Sequence, residues 1–159
     1  MNINIIAIGD IKEKYLKDAI KEYQKRIKAY SNITIHEIPE ERLSSNPSEL
    51  EILQAIDKEG EKILAKVNPR SYLFALCIEG KQVTSEGFSN MFEDITLNGY
   101  SDITFIIGGS NGLSPSVKKL ANHKLSFSKM TYPHQLMRVI LLEQIYRAYK
   151  IMKNEPYHK

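Results

Sequence analysis

The stretch Ile106-Ile107-Gly108-Gly109-Ser110-Asn111-Gly112-Leu113-Ser114-Pro115 ends a strand, turns, and opens a helix. Ile103, Phe105, Ile106 and Ile107 are strand formers, and the run stops at paired glycines. Glycine permits backbone angles and close approaches that a β-carbon forbids, so the loop can lay bare main chain against a ligand. Ser114-Pro115 then reads as a helix cap followed by a first-turn proline. Ligands of open α/β sheets bind at the carboxyl ends of the strands, which makes this segment a candidate small-molecule site. The spacing Gly-Gly-x-x-Gly is neither the dinucleotide fingerprint nor a Walker loop, which needs a following Gly-Lys-Ser/Thr. On the glycines alone, a strand-to-helix turn without a ligand reads equally well.

Outward from this loop, strands and helices alternate along the chain. Asn2–Ile8 reads as a strand apolar on both faces, as in a sheet covered on both sides. Asp10 with Glu13 reads as a capping box for a helix reaching about Tyr30. Ile33–Ile38 is a second strand. Asn46-Pro47-Ser48-Glu49 supplies a cap, a first-turn proline and a first-turn acid for a helix to about Val67. Ser71–Ile78 is a third strand, ended by the turn Glu79-Gly80-Lys81; a helix over Ser85–Leu97 stops at Asn98-Gly99. Asp102–Ile107 is the fourth strand, Ser114-Pro115 begins a short helix, Lys124–Phe127 is a brief fifth strand, and Pro133 opens a last helix to about Met152. This order predicts an α/β fold, a parallel sheet with helices on both faces, in one domain over residues 1–159.

Two helices carry more than a core-facing stripe. Val139-Ile140-Leu141-Leu142 covers more than one side of the last helix. Either that helix lies deep in the monomer core or a partner chain covers it, most simply in a two-fold homodimer. On the first helix, Lys14, Lys17, Lys21, Lys25 and Lys28 form one stripe opposite Leu16, Ile20, Tyr23 and Ile27. The stripe is either a solvated face or a rail that positions RNA phosphates without reading bases.

Composition narrows the classes. A net charge of +3 admits an RNA partner without requiring one. The lone Cys77, inside Leu73–Ile78, excludes an internal disulfide framework and reads as core packing. His36, His123, His134 and His158 lack metal-ligand spacing, so no metal is expected. No apolar run is long enough to span a membrane, and the first residues lack a signal-peptide layout. The expectation is a cytoplasmic protein without a membrane partner.

Four segments taken together are more specific than any one of them. Gly108–Pro115 is followed by Leu125-Ser126-Phe127-Ser128-Lys129-Met130-Thr131-Tyr132-Pro133-His134, then by Arg138-Val139 and Glu143-Gln144-Ile145-Tyr146-Arg147-Ala148, and finally by Asn154-Glu155-Pro156-Tyr157-His158. In this order and spacing the chain resembles, over its whole length, the large-subunit rRNA methyltransferase H family, small bacterial members of the SPOUT class. The resemblance implies a C-terminal trefoil knot, an exception to the rule that chains do not thread their own loops. It also implies S-adenosylmethionine (S-adenosyl-L-methionine) as cofactor, a homodimer, and methylation of N3 of a pseudouridine in a 23S rRNA hairpin loop, the 1915 site. The expected partner is 23S rRNA, free or within the large ribosomal subunit or 70S ribosome; the modest charge and small surface favour the assembled particle over free RNA.

For individual residues, the resemblance implies a cofactor pocket built from three loops. Leu76 lies in the first and Gly108 in the second; Phe127, Ser128, Lys129, Met130, Thr131 and Tyr132 form the third. Tyr157 and His158 are implied on the substrate side, Tyr157 to stack on a base and His158 to accept or relay a proton. Read from residues alone, such a tail frays. His134 and Arg138 share a face one turn apart and complete the catalytic candidates. A helix N-terminus suits His134 as an acceptor or structural partner rather than a cation, while Arg138 is a candidate contact for RNA phosphate, the cofactor carboxylate or a dimer partner's acid. Arg147 is accounted for by an intrahelical pair with Glu143 and is left out of the site. The family's final Arg is replaced by Lys159, which keeps the charge and loses the planar fork. A non-catalytic nucleotide or metabolite binder, or a ribosome-associated structural protein, are the rival readings.

Overall fold

Five strands pair entirely in parallel in the order β2-β1-β4-β3-β5 in a computed structural model that describes residues 1–159. The elements are β1 (Asn2–Ile8), α1 (Lys14–Ile27), β2 (Asn32–Ile38), α2 (Glu49–Lys66), β3 (Tyr72–Gln82), α3 (Ser85–Leu97), β4 (Asp102–Ile107), α4 (Pro115–Leu120), β5 (His123–Ser126) and α5 (His134–Met152). Alternation along the strands divides the core into two layers. Ile3, Ile5, Phe74, Ile103 and Phe105 face α1, α3 and α5; Ile6, Ile8, Ala75 and Ile106 face α2 and α4. Helices therefore cover both faces, as the alternating order predicts.

Local signals were offset in three elements. The capping box does not form: α1 begins at Lys14, Glu13 occupies the cap position, and no side chain caps the helix. Ile11 is buried in the core beneath α1, which holds residues 10–13 outside the helix. At its other end the helix stops at Ile27, and Lys28–Tyr30 form a turn. The start of α2 is two residues later than the Asn46-Pro47 reading, because the Ser48 hydroxyl accepts the Glu51 N–H at 3.1 Å and Pro47 precedes the cap.

The third offset shapes the site. Glu79-Gly80-Lys81 is not a terminating turn, since β3 continues to Gln82. Leu125 aligns with both Leu76 and Lys81, so the intervening residues bulge out of the ladder. A β-carbon on Gly80 would lie 2.7 Å from the Leu125 carbonyl carbon, so only glycine lets the two strands pass this closely.

On α5, Leu141, Leu142, Ile145 and Ala148 belong to the core between α1 and α3, which accounts for most of its apolar surplus. Leu136 remains 39% exposed. The five lysines of the α1 stripe are all exposed, and Leu16, Ile20 and Ile27 are buried behind them. No helix is long and apolar enough to cross a membrane.

Candidate active site

A cleft of about 470 Å³ opens at the carboxyl ends of β3 and β4, roofed by the β5–α5 link. Its size is that of a small-molecule site. The β3 bulge supplies Leu76, Cys77 and Ile78; the glycine loop supplies Gly108 to Leu113; the β5–α5 link supplies Phe127, Ser128, Met130, Thr131 and Tyr132. Seven of the eight residues expected in the pocket therefore line one cleft, although Leu76 and Phe127 are fifty-one positions apart. Lys129 does not line it.

Each wall has a local cause. The β5–α5 link is pinned by serines: Ser126 Oγ donates to the Ser128 carbonyl at 2.9 Å, and Ser128 Oγ accepts the Met130 N–H at 2.9 Å. In the glycine loop, a β-carbon on Gly108 would sit 2.8 Å from the Gly112 backbone, and one on Gly109 would sit 2.8 Å from Glu40 Oε1. These glycines are thus demanded first by the loop's own closure and by its neighbours. The closed loop turns main-chain groups toward the cleft at no side-chain cost.

The rim carries a charge pair that the sequence did not mark and a thiol, Cys77, that the sequence read as core packing. Glu79 pairs with Lys118, whose hydrogen bond holds its carboxyl below the usual range. Cys77 is only half-buried and faces the cleft rather than the core. Burial, then the Glu79 charge, pushes its thiol up, which keeps it protonated and unreactive.

The four catalytic candidates separate. His134 lines the cleft, with its Nε2 packed 3.3 Å from where a Gly9 β-carbon would lie. It also walls a second, polar cleft of about 670 Å³ shared with Gly9, Glu37, Glu40 and Arg42. Arg138 is 2% exposed and does not line the cleft. Its Nη1 donates to Glu37 at 2.7 Å and its Nη2 to the Gly9 carbonyl at 3.1 Å, so it ties α5 to the ends of β1 and β2.

Tyr157 and His158 lie outside the cleft, in a cluster on α5 and α3. The Tyr157 hydroxyl donates to Glu143 at 3.0 Å, and its ring lies under the Arg147 guanidinium at 4.7 Å. Burial, then the bond to Glu143, raises the Tyr157 hydroxyl well above its ordinary range. Arg147 makes the expected pair with Glu143 at 2.6 Å and also reaches His158 Nδ1 at 3.1 Å. His158 Nε2 is 2.7 Å from Glu86 on α3. Arg147 and Glu86 are therefore partners of the tail that sequence reasoning missed. The 4-residue spacing explained Arg147 fully, and nothing in the chain marks Glu86 as opposite residue 158.

The chemistry available is that of a small-molecule cleft with main-chain donors and acceptors and apolar lining side chains, beside a histidine and a polar annex. Comparison with known proteins agrees in kind. The family model described as "Predicted SPOUT methyltransferase" matches residues 1–158. Ribosomal RNA large subunit methyltransferase H of Streptococcus thermophilus (strain CNRZ 1066) is 55% identical over 159 residues, 100% of both chains. The protein of the same name from Clostridium perfringens (strain 13 / Type A) is 54% identical with the same coverage.

Proposed function

The chain belongs to the SPOUT methyltransferase family, and on that premise we propose that it methylates large-subunit rRNA with S-adenosylmethionine, at N3 of the 1915 pseudouridine. The observation that carries this reading is the convergence of the β3 bulge, the glycine loop and the β5–α5 link on one cleft. The cleft fits the cofactor: bare main chain at Gly108–Gly112 can pair with an adenine edge, and Leu76, Phe127 and Met130 offer apolar contact. When bound, S-adenosylmethionine supplies an activated methyl on a sulfonium, so the protein needs no covalent nucleophile.

What remains for the chain is orientation and a proton. Fixing the acceptor ring contributes on the order of 7–11 kcal/mol in well-aligned systems. The ring nitrogen must lose its proton, and His158, whose Nδ1 meets Arg147 and whose Nε2 meets Glu86, accepts or relays it in this reading once substrate takes the place of one of those two partners. Tyr157 stacks on or orients the base. Because the tail does not line its own protomer's cleft, a second copy delivers it, in a two-fold homodimer. Support comes from apolar side chains left exposed, Met130 in the cleft lining at 74% and Leu136 near the start of α5 at 39%. His134 sits between the cleft and the polar annex, where it meets substrate. The exposed α1 lysines supply phosphate contacts to the ribosomal subunit, a cytoplasmic partner. The family's C-terminal knot belongs to the same reading.

Two measurements test the proposal. Titration calorimetry is expected to show binding of S-adenosylmethionine and none of NAD or ATP. Mass analysis of 23S rRNA from cells with and without the gene is expected to differ by one methyl group on that pseudouridine. Identical masses overturn the assignment.

A further inference from the structure

The glycine loop has little to hold it from within: the Gly112 N–H donates to the Gly109 carbonyl at 3.1 Å. The Ser110 N–H instead leaves the loop and donates to Glu40 Oε1 at 2.9 Å, a residue seventy positions earlier in the link between β2 and α2. Gly109 makes room for this, since a β-carbon there would collide with the same carboxylate oxygen.

The segment that presents Glu40 is braced on both sides. Before it, buried Arg138 holds Glu37 at 2.7 Å, and the Gly9 N–H donates to the Ile38 carbonyl at 2.7 Å. After it, buried Glu59 on α2 accepts the Glu41 N–H at 2.9 Å, and Lys62 holds the Glu41 carboxylate at 2.8 Å. Glu37 to Glu41 is thus a strut running from α2 and α5 to the cofactor loop. Glu40 itself does not line the cofactor cleft; it faces the polar annex. Burial works to raise its carboxyl, but the Ser110 amide and hydroxyl outweigh this and hold it below the usual range, with His134 adding to the effect. A hydrogen bond to an ionised acceptor is about twice as strong as a neutral one.

We propose that Glu40 is a positioning residue for cofactor binding, fixing the Ser110 amide and with it the conformation in which the Gly108–Gly112 main chain faces the cleft. This rests on the cofactor reading given above. Arg138, placed by sequence among catalytic residues, acts in the same strut by holding its near end.

The test uses the full-length protein and its Glu40→Ala and Glu40→Gln variants. Without ligand, hydrogen exchange at the Ser110 amide is measured by NMR; with S-adenosylmethionine, the Kd is measured by calorimetry. Glu40→Ala is expected to speed Ser110 exchange and to raise the Kd, each by about tenfold, the scale of one charge-assisted hydrogen bond. Glu40→Gln keeps an acceptor oxygen and is expected to recover most of both effects. Thermal midpoints are expected to stay together. An alanine variant with wild-type exchange or wild-type Kd overturns the proposal, as does a loss of affinity that only tracks a lower midpoint. If the wild-type chain binds no S-adenosylmethionine, the proposed function and the cofactor role fail together; if it binds and alanine is silent, only Glu40's role fails.

Discussion

Glu59 is 5% exposed on α2, and the Glu41 N–H is its one hydrogen-bond donor. Burial raises its carboxyl, that N–H partly offsets the rise, and the nearby Glu40 and Glu41 charges add to it. The folded chain therefore holds the proton to higher pH than the unfolded chain does. Stability tied to this group falls as pH rises from the unfolded toward the folded value, and the loss is fully present above the latter. Glu59→Gln, which keeps an acceptor for the Glu41 N–H, is expected to be more stable than wild type near pH 7. That advantage should vanish as pH drops through the ordinary carboxylate range; urea midpoints at the two ends check it. The sequence does not mark Glu59 as buried, because burial is set by what α2 packs against. Arg138 and Arg147 were obscured the same way. Their charge was legible, but their partners Glu37, His158 and Tyr157 were not.

Elements were more legible than residues, since side-chain burial repeats with the backbone period. All ten elements appear in the predicted order, and the errors lie at ends where two signals competed, as with Asn46 and Ser48 before α2. Packing between elements was not legible. Gly60 sits mid-helix in α2, where alanine is the better helix former by about 1 kcal/mol. Yet an added β-carbon there would overlap Ser114 Oγ and lie 3.1 Å from Ser114 Cβ. Ser114 also caps α4, accepting the Val117 N–H at 3.3 Å. Overpacking of this kind costs about 1–3 kcal/mol and should exceed the propensity gain. Gly60→Ala is therefore expected to lower stability by roughly 1 kcal/mol in chemical denaturation, by the same balance. A more stable variant would show that α4 yields without cost.

At the scale of the whole molecule, one chain holds the cleft proposed for the cofactor and an ordered tail that does not reach it. The proposed dimer joins them, and its apolar contact includes the part of α5 left outside the monomer core. Leu136→Asp is expected to shift the protein from dimer to monomer in light scattering, to abolish methyl transfer, and to leave S-adenosylmethionine binding intact. A monomeric wild type, or a fully active monomeric variant, would show that the tail serves its own cleft.

The sequence by itself determined the strand and helix order, the two-sided covering of a parallel sheet, the loops that form the cleft, and the family. These are properties of short stretches, in which hydrophobic period, glycine and proline act over a few residues, or of ordered motifs matched whole. Tertiary structure alone decided that β3 bulges past Leu125, that Arg138 braces β1 and β2, that Glu40 reaches Ser110, and that Arg147 and Glu86 hold the tail. Most of these contacts join groups dozens of residues apart, and Arg147 meets His158 only because the tail folds back along α5. Such pairings follow from the path of the folded chain in space, which no local pattern encodes.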